Sequence, residues 1–279
     1  MTSSVLFDSP GPRTIVRHRV YTVVTLLVIL ALAAIFVQRL NDTGQFAYAK
    51  WEPFLTPKYL QALLVDGLLK TLQMAFFAVI FAVVFGVLFG VGKLSDHRLV
   101  RLPCWAVVEF FRAVPVLLLM ILFFSAQNAS NEFWCVVAAL TLYNGAVLAE
   151  VFRAGILAVP TGQAEAAYAL GMRKSQVMAV ILLPQAVKIM IPAIVSQCVV
   201  ALKDTSLGAA IAAPGLTLVG DSISGGFNNL IQTTFVVASI YIVINLILTA
   251  IATLAQKKFV GERKPLEVSL VGTADQKTV

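Results

Sequence analysis

The sequence has few charged residues, and histidine and cysteine are rarer still. Of its 279 residues 13% are charged, whereas a soluble domain carries roughly a quarter. His18 and His97 are the only histidines, and a metal site or a Ser–His triad would need histidine side chains. We therefore predict no metal and no catalytic residue. Cys104, Cys135 and Cys198 lie far apart in apolar runs, which argues against disulfides.

What the sequence has instead is long apolar runs. Hydrophobic residues make up 59% of the chain, and a membrane-spanning helix needs about 20 of them in succession. We therefore predict an all-α integral membrane protein with six spans, the third kinked at Pro115. The windows are 20–38, 71–92, 113–131 (apolar from about Pro103), 133–149, 189–202 continued through Lys203 and Asp204 into 207–213, and 230–256.

The net charge of +7 is distributed in a way that predicts orientation. Lys and Arg concentrate before the first span, between the second and third, between the fourth and fifth, and after the sixth. Basic residues favour cytoplasmic loops, so both termini should be cytoplasmic, and no nucleic-acid partner is needed to explain the charge. A cleaved signal peptide ending near Ala31-Leu32-Ala33 is the alternative for the first span, but the apolar run extends well past that point.

The segment 150–184 is the most informative part of the chain. Pro160 and Gly162 break the chain, and a helix should then run from about Gln163 to Leu170, with Gly171 as its left-handed stop. Ser175 is expected to cap a second helix that runs towards Pro184. Several alanines keep the first helix thin, so another surface could approach it closely, although an ordinary amphipathic connector is the simpler interpretation from these residues alone.

Motif spacing in this segment resembles a known family. Glu165-Ala166-Ala167, then Gly171, then Ile181-Leu182-Leu183-Pro184 have the spacing of the EAA loop of ABC-importer permeases. Further segments are similar to the polar amino-acid branch of that family, and the resemblance covers roughly Leu63 to the end of the sixth span. These segments are Glu150 to Ile156, Gly162-Gln163, Leu183-Pro184-Gln185-Ala186, Lys203-Asp204-Thr205-Ser206-Leu207, Gly67 with Thr71-Leu72, and Phe111-Arg112 with Pro115.

The resemblance implies a type I importer fold with a five-helix core, one extra N-terminal span and a cytoplasmic coupling helix. The implied domains are a cytoplasmic segment 1–19, the extra span 20–40, an external loop 41–62, the permease core 63–256 with its EAA loop at about 160–184, and a flexible cytoplasmic tail 257–279. The implied coupling residues, which would contact the ATPase, are Gln163, Glu165, Ala166, Ala167 and Gly171.

The implied partners are a cytosolic ABC ATPase dimer, a second permease subunit, an external substrate-binding protein and the lipid bilayer of a bacterial plasma membrane. This chain has no G-x-x-x-x-G-K-[ST] segment, so we expect no cofactor in it, with ATP and Mg bound by the partner ATPase. The nearest approach ends at Lys93-Leu94 with the wrong spacing, and its Gly86-x-x-x-Gly90 portion favours close helix packing.

Charged residues inside predicted spans are candidates for the substrate path, because burying a charge in a bilayer is costly. Lys203, Asp204, Thr205 and Ser206 offer both signs of charge and two hydroxyls, although a Lys203–Asp204 pair or an interfacial position would also explain them. Arg112 is a further substrate-path candidate. A structural ion pair or gate is the interpretation for Glu109 with Arg112 and for Glu150 with Arg153, each spaced i, i+3. Tyr143 and Asn144 are expected to join helices.

Two departures from the family pattern concern the second permease subunit. Apolar residues replace polar ones at Ala113-Val114, at Leu119 and at Val147, which follows Ala146. We therefore expect a non-identical second subunit to supply some substrate contacts. The extra first span and the Arg-Ala-Val-Pro segment at Arg112 are most similar to permeases of actinobacterial glutamate uptake systems.

The sequence does not favour either of two other classes of membrane protein. An ion-coupled secondary transporter or channel would show internal inverted symmetry or a ring of titratable groups, and neither is apparent. An intramembrane enzyme would need paired aspartates, a Ser–His pair or a metal cluster, and the sequence offers none of these. The sequence therefore favours an ATP-driven importer permease over both.

Overall fold

The computed structural model describes residues 11–260, and these residues contain helices and no strand. Five helices are long and apolar enough to cross a membrane, and the count reaches the predicted six when a bent pair of helices is counted as one span. We label the helices of nine or more residues in chain order. They are α1 (Pro12–Asp42), α2 (Pro57–Gly92), α3 (Arg98–Ala113), α4 (Val116–Ala126), α5 (Glu132–Leu157), α6 (Thr161–Ala169), α7 (Lys174–Ile211), α8 (Leu216–Phe227) and α9 (Leu230–Val260).

Helix α1 lies outside the packed part of the molecule. None of the residues in its most apolar stretch is buried, and its 31 residues extend about 46 Å at 1.5 Å per residue. Its length exceeds the roughly 30 Å hydrocarbon core of a bilayer. The predicted flexible tail lies mostly outside the described residues, as do residues 1–10 of the predicted N-terminal segment.

Helices α2 and α5 form the most extensive helix–helix contact among the described residues. A Cβ atom on Gly86 would lie 2.8 Å from the Cβ of Leu148, and one on Gly145 would lie 2.8 Å from Phe85. The glycines therefore let the two backbones approach to a distance that no other residue permits. The predicted packing role of Gly86-x-x-x-Gly90 is confirmed.

The third span is broken rather than kinked. Helix α3 ends at Ala113, α4 begins at Val116, and the two axes differ by 99°. Pro115 lacks an N–H group and disfavours the helical conformation at Val114, which is extended (ψ 127°). Pro115 correctly predicted where the third span changes direction, but the change of direction is larger than an ordinary proline kink.

Helix α7 is longer than predicted. It joins the short helix predicted towards Pro184 to the span predicted from Ile189: it begins at Lys174 and passes through Pro184 after a wide π-helical turn, Val177–Leu182. Such a turn relieves the missing hydrogen bond of a proline inside a helix. The predicted cap by Ser175 is wrong: the cap residue is Arg173, whose N–H donates to the side chain of Gln176 (2.8 Å).

The two largest buried clusters lie at opposite ends of the helix bundle. One is centred on Met74, Leu119 and Val136, and the other on Phe152, Ile156 and Met190. The first lies at the bundle end where α5 begins, near α8. The second lies at the opposite end, where α2 and α5 finish and α6 follows; we call this the α6 end.

Candidate functional site

A network of charged side chains lies at the α6 end. Lys93 Nζ, whose side chain is only 5% exposed, contacts Glu150 and lies 3.4 Å from Glu109. Each carboxylate also holds an arginine of its own helix: Arg153 at 3.0 Å from Glu150, and Arg112 at 3.3 Å from Glu109. Five charged groups from α3, α5 and the end of α2 thus form one connected cluster.

The network brings together all four residues predicted as ion pairs and adds Lys93, which the sequence interpretation treated only as a loop charge. Lys93 lies 16 and 57 positions from its partners, so no local spacing could reveal the contact. The feature of the sequence that could have indicated burial of Lys93 is its position, one residue after a predicted span. A buried ammonium is tolerated only where carboxylates compensate its charge, and here two helices supply them.

A second ionic contact joins neighbouring elements at the same end. Asp96, in the turn between α2 and α3, lies 2.5 Å from Lys174 at the start of α7. The hydrogen bond from Lys174, together with its positive charge, lowers the pKa of Asp96 below the ordinary value. Both side chains are exposed, so salt screens this contact and its contribution to stability is small.

Helix α6 is short and mostly exposed. Gly171 follows it in the left-handed conformation (φ +76°), as predicted. The N–H groups of Gly171 and Met172 donate to the carbonyls of Tyr168 (2.9 Å) and Ala167 (3.2 Å). These two bonds form a Schellman motif, which ends the helix sharply and satisfies its last carbonyls.

The five predicted coupling residues divide between the two faces of α6. Gln163, Glu165, Ala166 and Gly171 are exposed, whereas Ala167 is buried against the rest of the protein. The side chain of Gln185, on α7, donates to Gln163 (3.4 Å) and also to the Ile181 carbonyl (3.0 Å). Helix α6 thus rests on the π-helical turn of α7, and its Glu165 is exposed at a groove that Lys174 and Met178 of α7 also line.

The predicted substrate-path residues lie where α7 changes its winding. The α-helical part ends at Asp204, and residues Thr205–Ile211 form a tighter 3-10 segment. Thr205 is buried and donates to the carbonyl of Leu202 (2.6 Å), and Ser206 donates to that of Lys203 (2.8 Å). Among the described residues no ion pair joins Lys203 to Asp204. Arg112 lies in the charge network on α3, and no described hydrogen bond or ion pair joins it to Lys203–Ser206.

Polar contacts elsewhere explain several motif residues. Asn144 is buried and accepts a hydrogen bond from Gln197 (2.5 Å), which joins α5 to α7 as predicted for Asn144. Thr71 accepts the N–H of Leu216 (2.9 Å) at the start of α8, and the backbone of Leu216 lies against Gly67. The motif residues Gly67 and Thr71 therefore hold the start of α8 against the first half of α2.

The two departures from the family pattern lie partly in the interior. Leu119 is 2% exposed, so its apolar character contributes to the core. It therefore gives no information about a substrate path. Val114 and Val147 are half-buried and stay relevant to it.

These helices define a polytopic membrane protein. Residues 60–261 match the family described as "Binding-protein-dependent transport system inner membrane component", and the chain belongs to this family. The chain is 41% identical over 226 residues to the glutamate transport system permease protein GluD of Corynebacterium glutamicum, covering 78% of this chain and 83% of GluD. It is 25% identical over 229 residues to the histidine/lysine/arginine/ornithine transport system permease protein HisM of Escherichia coli, covering 77% of this chain and 95% of HisM.

The fold is that of type I ABC importer permeases. The structure titled "Crystal structure of an amino acid ABC transporter with histidines" superposes with a TM-score of 0.68 at 31% identity, covering 74% of this chain and 98% of that chain. The predicted fold class is therefore confirmed for the core. Helix α1 precedes the residues that match the family.

Proposed function

We propose that this chain is a permease subunit of an ABC importer that carries a polar amino acid, with glutamate favoured, through the bacterial plasma membrane. The observation that carries the proposal is α6, a short exposed helix with an exposed Glu165 and a sharp stop at Gly171. A transporter that works without a partner has no use for such a helix. The similarity to GluD supports glutamate as the substrate.

The proposed mechanism couples α6 to the spans through packed contacts. A cytosolic ATPase dimer binds α6 and hydrolyses ATP, and its closure displaces that helix. Because α6 rests on the π-helical turn of α7, the displacement passes to α7 and to the Lys203–Ser206 segment. The permease pair then alternates between inward-facing and outward-facing states.

The proposed complex has a defined orientation in the membrane and three kinds of partner. The distribution of Lys and Arg supports cytoplasmic termini, which puts the α6 end on the ATPase side. An external binding protein delivers the amino acid to the opposite side. A second permease subunit, non-identical in view of Val114 and Val147, completes the pathway.

The test is uptake of radiolabelled glutamate, glutamine and histidine into proteoliposomes that contain this chain with its ATPase, permease and binding-protein partners. We expect uptake that requires internal ATP and the binding protein, and competition by one amino acid names the substrate. Uptake by this chain alone, driven by an ion gradient, would instead establish a secondary transporter.

Residue-level tests separate coupling from the substrate path. Glu165→Trp should abolish uptake and ATPase binding while the protein still inserts in the membrane. Asp204→Ala should reduce uptake with the complex intact. Unchanged uptake in Glu165→Trp would refute the coupling role of α6, and unchanged uptake in Asp204→Ala would remove Asp204 from the path.

A further inference from the structure

An open cavity lies at the α6 end, between α3 and α5, beside the charge network. Its volume is about 530 Å³, which is large enough for a small ligand or a lipid headgroup. Its lining comprises Lys93 at the end of α2, Arg101, Leu102, Trp105 and Glu109 on α3, and Glu150 and Arg153 on α5. The cavity thus combines four members of the charge network with two large apolar side chains and one further arginine.

The two arginines of the cavity keep hydrogen-bond donors that no described residue uses. Arg101 is exposed and makes no ion pair among the described residues. Arg153 donates to Glu150 through Nε (3.0 Å), so its two terminal NH2 groups still need an acceptor. A guanidinium group presents its donors in one plane and can hold two oxygens of a phosphate group. The cavity therefore offers two arginines to a phosphate.

The surroundings of the cavity carry an excess of positive charge. The charge network has three cations and two carboxylates, and Arg101 raises the excess to two positive charges. The neighbouring Asp96–Lys174 pair adds no net charge. An excess of this kind at the end of a membrane-spanning bundle attracts anionic groups.

Exposed apolar residues indicate what kind of molecule carries the anionic group. Leu102 and Trp105, which line the cavity from α3, are each more than half exposed, and Leu99, one turn before Leu102, is 91% exposed. Their spacing of three positions makes them a strip along one side of the helix. Exposed tryptophan and leucine beside basic residues are typical of the membrane–water interface. Such a strip contacts the glycerol backbone and acyl chains of a phospholipid, whereas a soluble anion gains nothing from it.

We propose that this cavity binds an anionic phospholipid, with the phosphate at Arg101 and Arg153 and the glycerol backbone and upper acyl chains along Leu102 and Trp105. The inference goes beyond the proposed function, because it requires only that the α6 end lies at a membrane surface, whatever substrate is carried. The bound phosphate offsets the excess positive charge where α2, α3 and α5 meet. Anionic lipid therefore stabilises this end of the bundle.

The experiment is a lipid titration of the purified protein, with the subunits that co-purify with it, in a non-ionic detergent. Native mass spectrometry counts the bound molecules of phosphatidylglycerol, or of phosphatidylcholine with the same acyl chains, and gives the Kd of the first one bound. We expect the first phosphatidylglycerol to bind about tenfold more tightly than the first phosphatidylcholine. Arg101→Gln should raise the Kd of phosphatidylglycerol about fivefold, the usual contribution of one basic residue, and Arg101→Gln combined with Arg153→Gln should raise it further.

Arg98→Gln is the matched control, because it makes the same change of charge on α3 one turn before Arg101 and outside the cavity lining. Its Kd for phosphatidylglycerol should stay within about twofold of the wild-type value. Trp105→Ala should raise that Kd, since it removes part of the apolar wall. An equal Kd for the two lipids, or equal effects of Arg98→Gln and Arg101→Gln, would overturn the proposal.

Two further outcomes would assign the cavity to a different occupant. Glycerol 3-phosphate carries the phosphate without acyl chains, so we expect it not to displace phosphatidylglycerol; displacement would instead establish a site for a soluble phosphate. The partner permease should co-purify equally with the wild type, Arg101→Gln and Trp105→Ala. Loss of that subunit from the variants, with unchanged lipid binding, would show that a protein covers this face and would refute the lipid site.

Discussion

Gly90 of α2 lies directly against the backbone of Ala149 in α5: a Cβ atom on the glycine would be 2.7 Å from the Ala149 carbonyl oxygen. Close contact of this kind is a main source of cohesion between membrane helices, because lipid is as apolar as the side chains. The contact makes the α2–α5 pair intolerant of even a single added methyl group.

Replacing Gly90 with alanine should therefore destabilise the protein. We expect a loss of about 1–3 kcal/mol, the usual cost of overpacking, seen as a lower melting temperature in fluorescence-detected size-exclusion chromatography. Gly225→Ala, on α8, is the matched control because its Cβ meets no atom within 4 Å. Equal melting temperatures for the two variants would refute the packing argument.

Replacing Lys93 with methionine should disrupt the charge network. The variant leaves Glu109 and Glu150 without their shared cation, and we expect a loss of about 1–3 kcal/mol, since both carboxylates keep part of their hydration. Thermal unfolding of the purified complex measures it. Adding Glu150→Gln to Lys93→Met should recover part of the loss, because the unpaired carboxylate is then neutral. A double variant no more stable than Lys93→Met would contradict a direct interaction.

Replacing Gly171 should test the end of α6. Valine is strained at φ +76°, so Gly171→Val should cost about 1–2 kcal/mol locally and disturb the position of α6, with loss of ATP-driven uptake. Gly171→Asn should keep most of the activity, because asparagine tolerates the left-handed conformation. Both variants are compared by uptake and by co-purification of the ATPase. Equal activity of the two would show that the backbone conformation at Gly171 is unimportant.

Replacing Asn144 or Gln197 should loosen the contact between α5 and α7. The hydrogen bond lies within the membrane-spanning part, where such bonds contribute about 0.6–2 kcal/mol. A double-mutant cycle with Asn144→Leu and Gln197→Leu, followed by thermal unfolding, should give a coupling energy in that range. Additive effects of the two substitutions would indicate that each residue acts alone.

Local features of the sequence were sufficient for most of the fold. Apolar runs predict the spans, Gly86-x-x-x-Gly90 predicts a close helix contact, and Gly171 predicts the end of α6. Each of these three features is determined by residues close together in the chain, so the periodicity of apolar residues and the local backbone preferences are enough to predict it. The sequence analysis predicted a short helix towards Pro184 and a separate span from about Ile189, because a proline usually interrupts a helix; the structure joins the two into one helix.

The candidate site was less predictable. Lys93, Glu109 and Glu150 meet only because α2, α3 and α5 pack side by side, and one sequence gives no information about contacts across such distances.

The 99° bend at Pro115 has a consequence for how the third span is held in the bilayer. Helix α4 has 11 residues and extends about 17 Å, roughly half of the hydrocarbon thickness. Hydrophobicity alone therefore does not fix its depth. Contacts with α5, and the burial of its own Leu119 and Met120 in the interior, do so instead, so this segment is positioned by its neighbours rather than by its own partitioning between water and lipid.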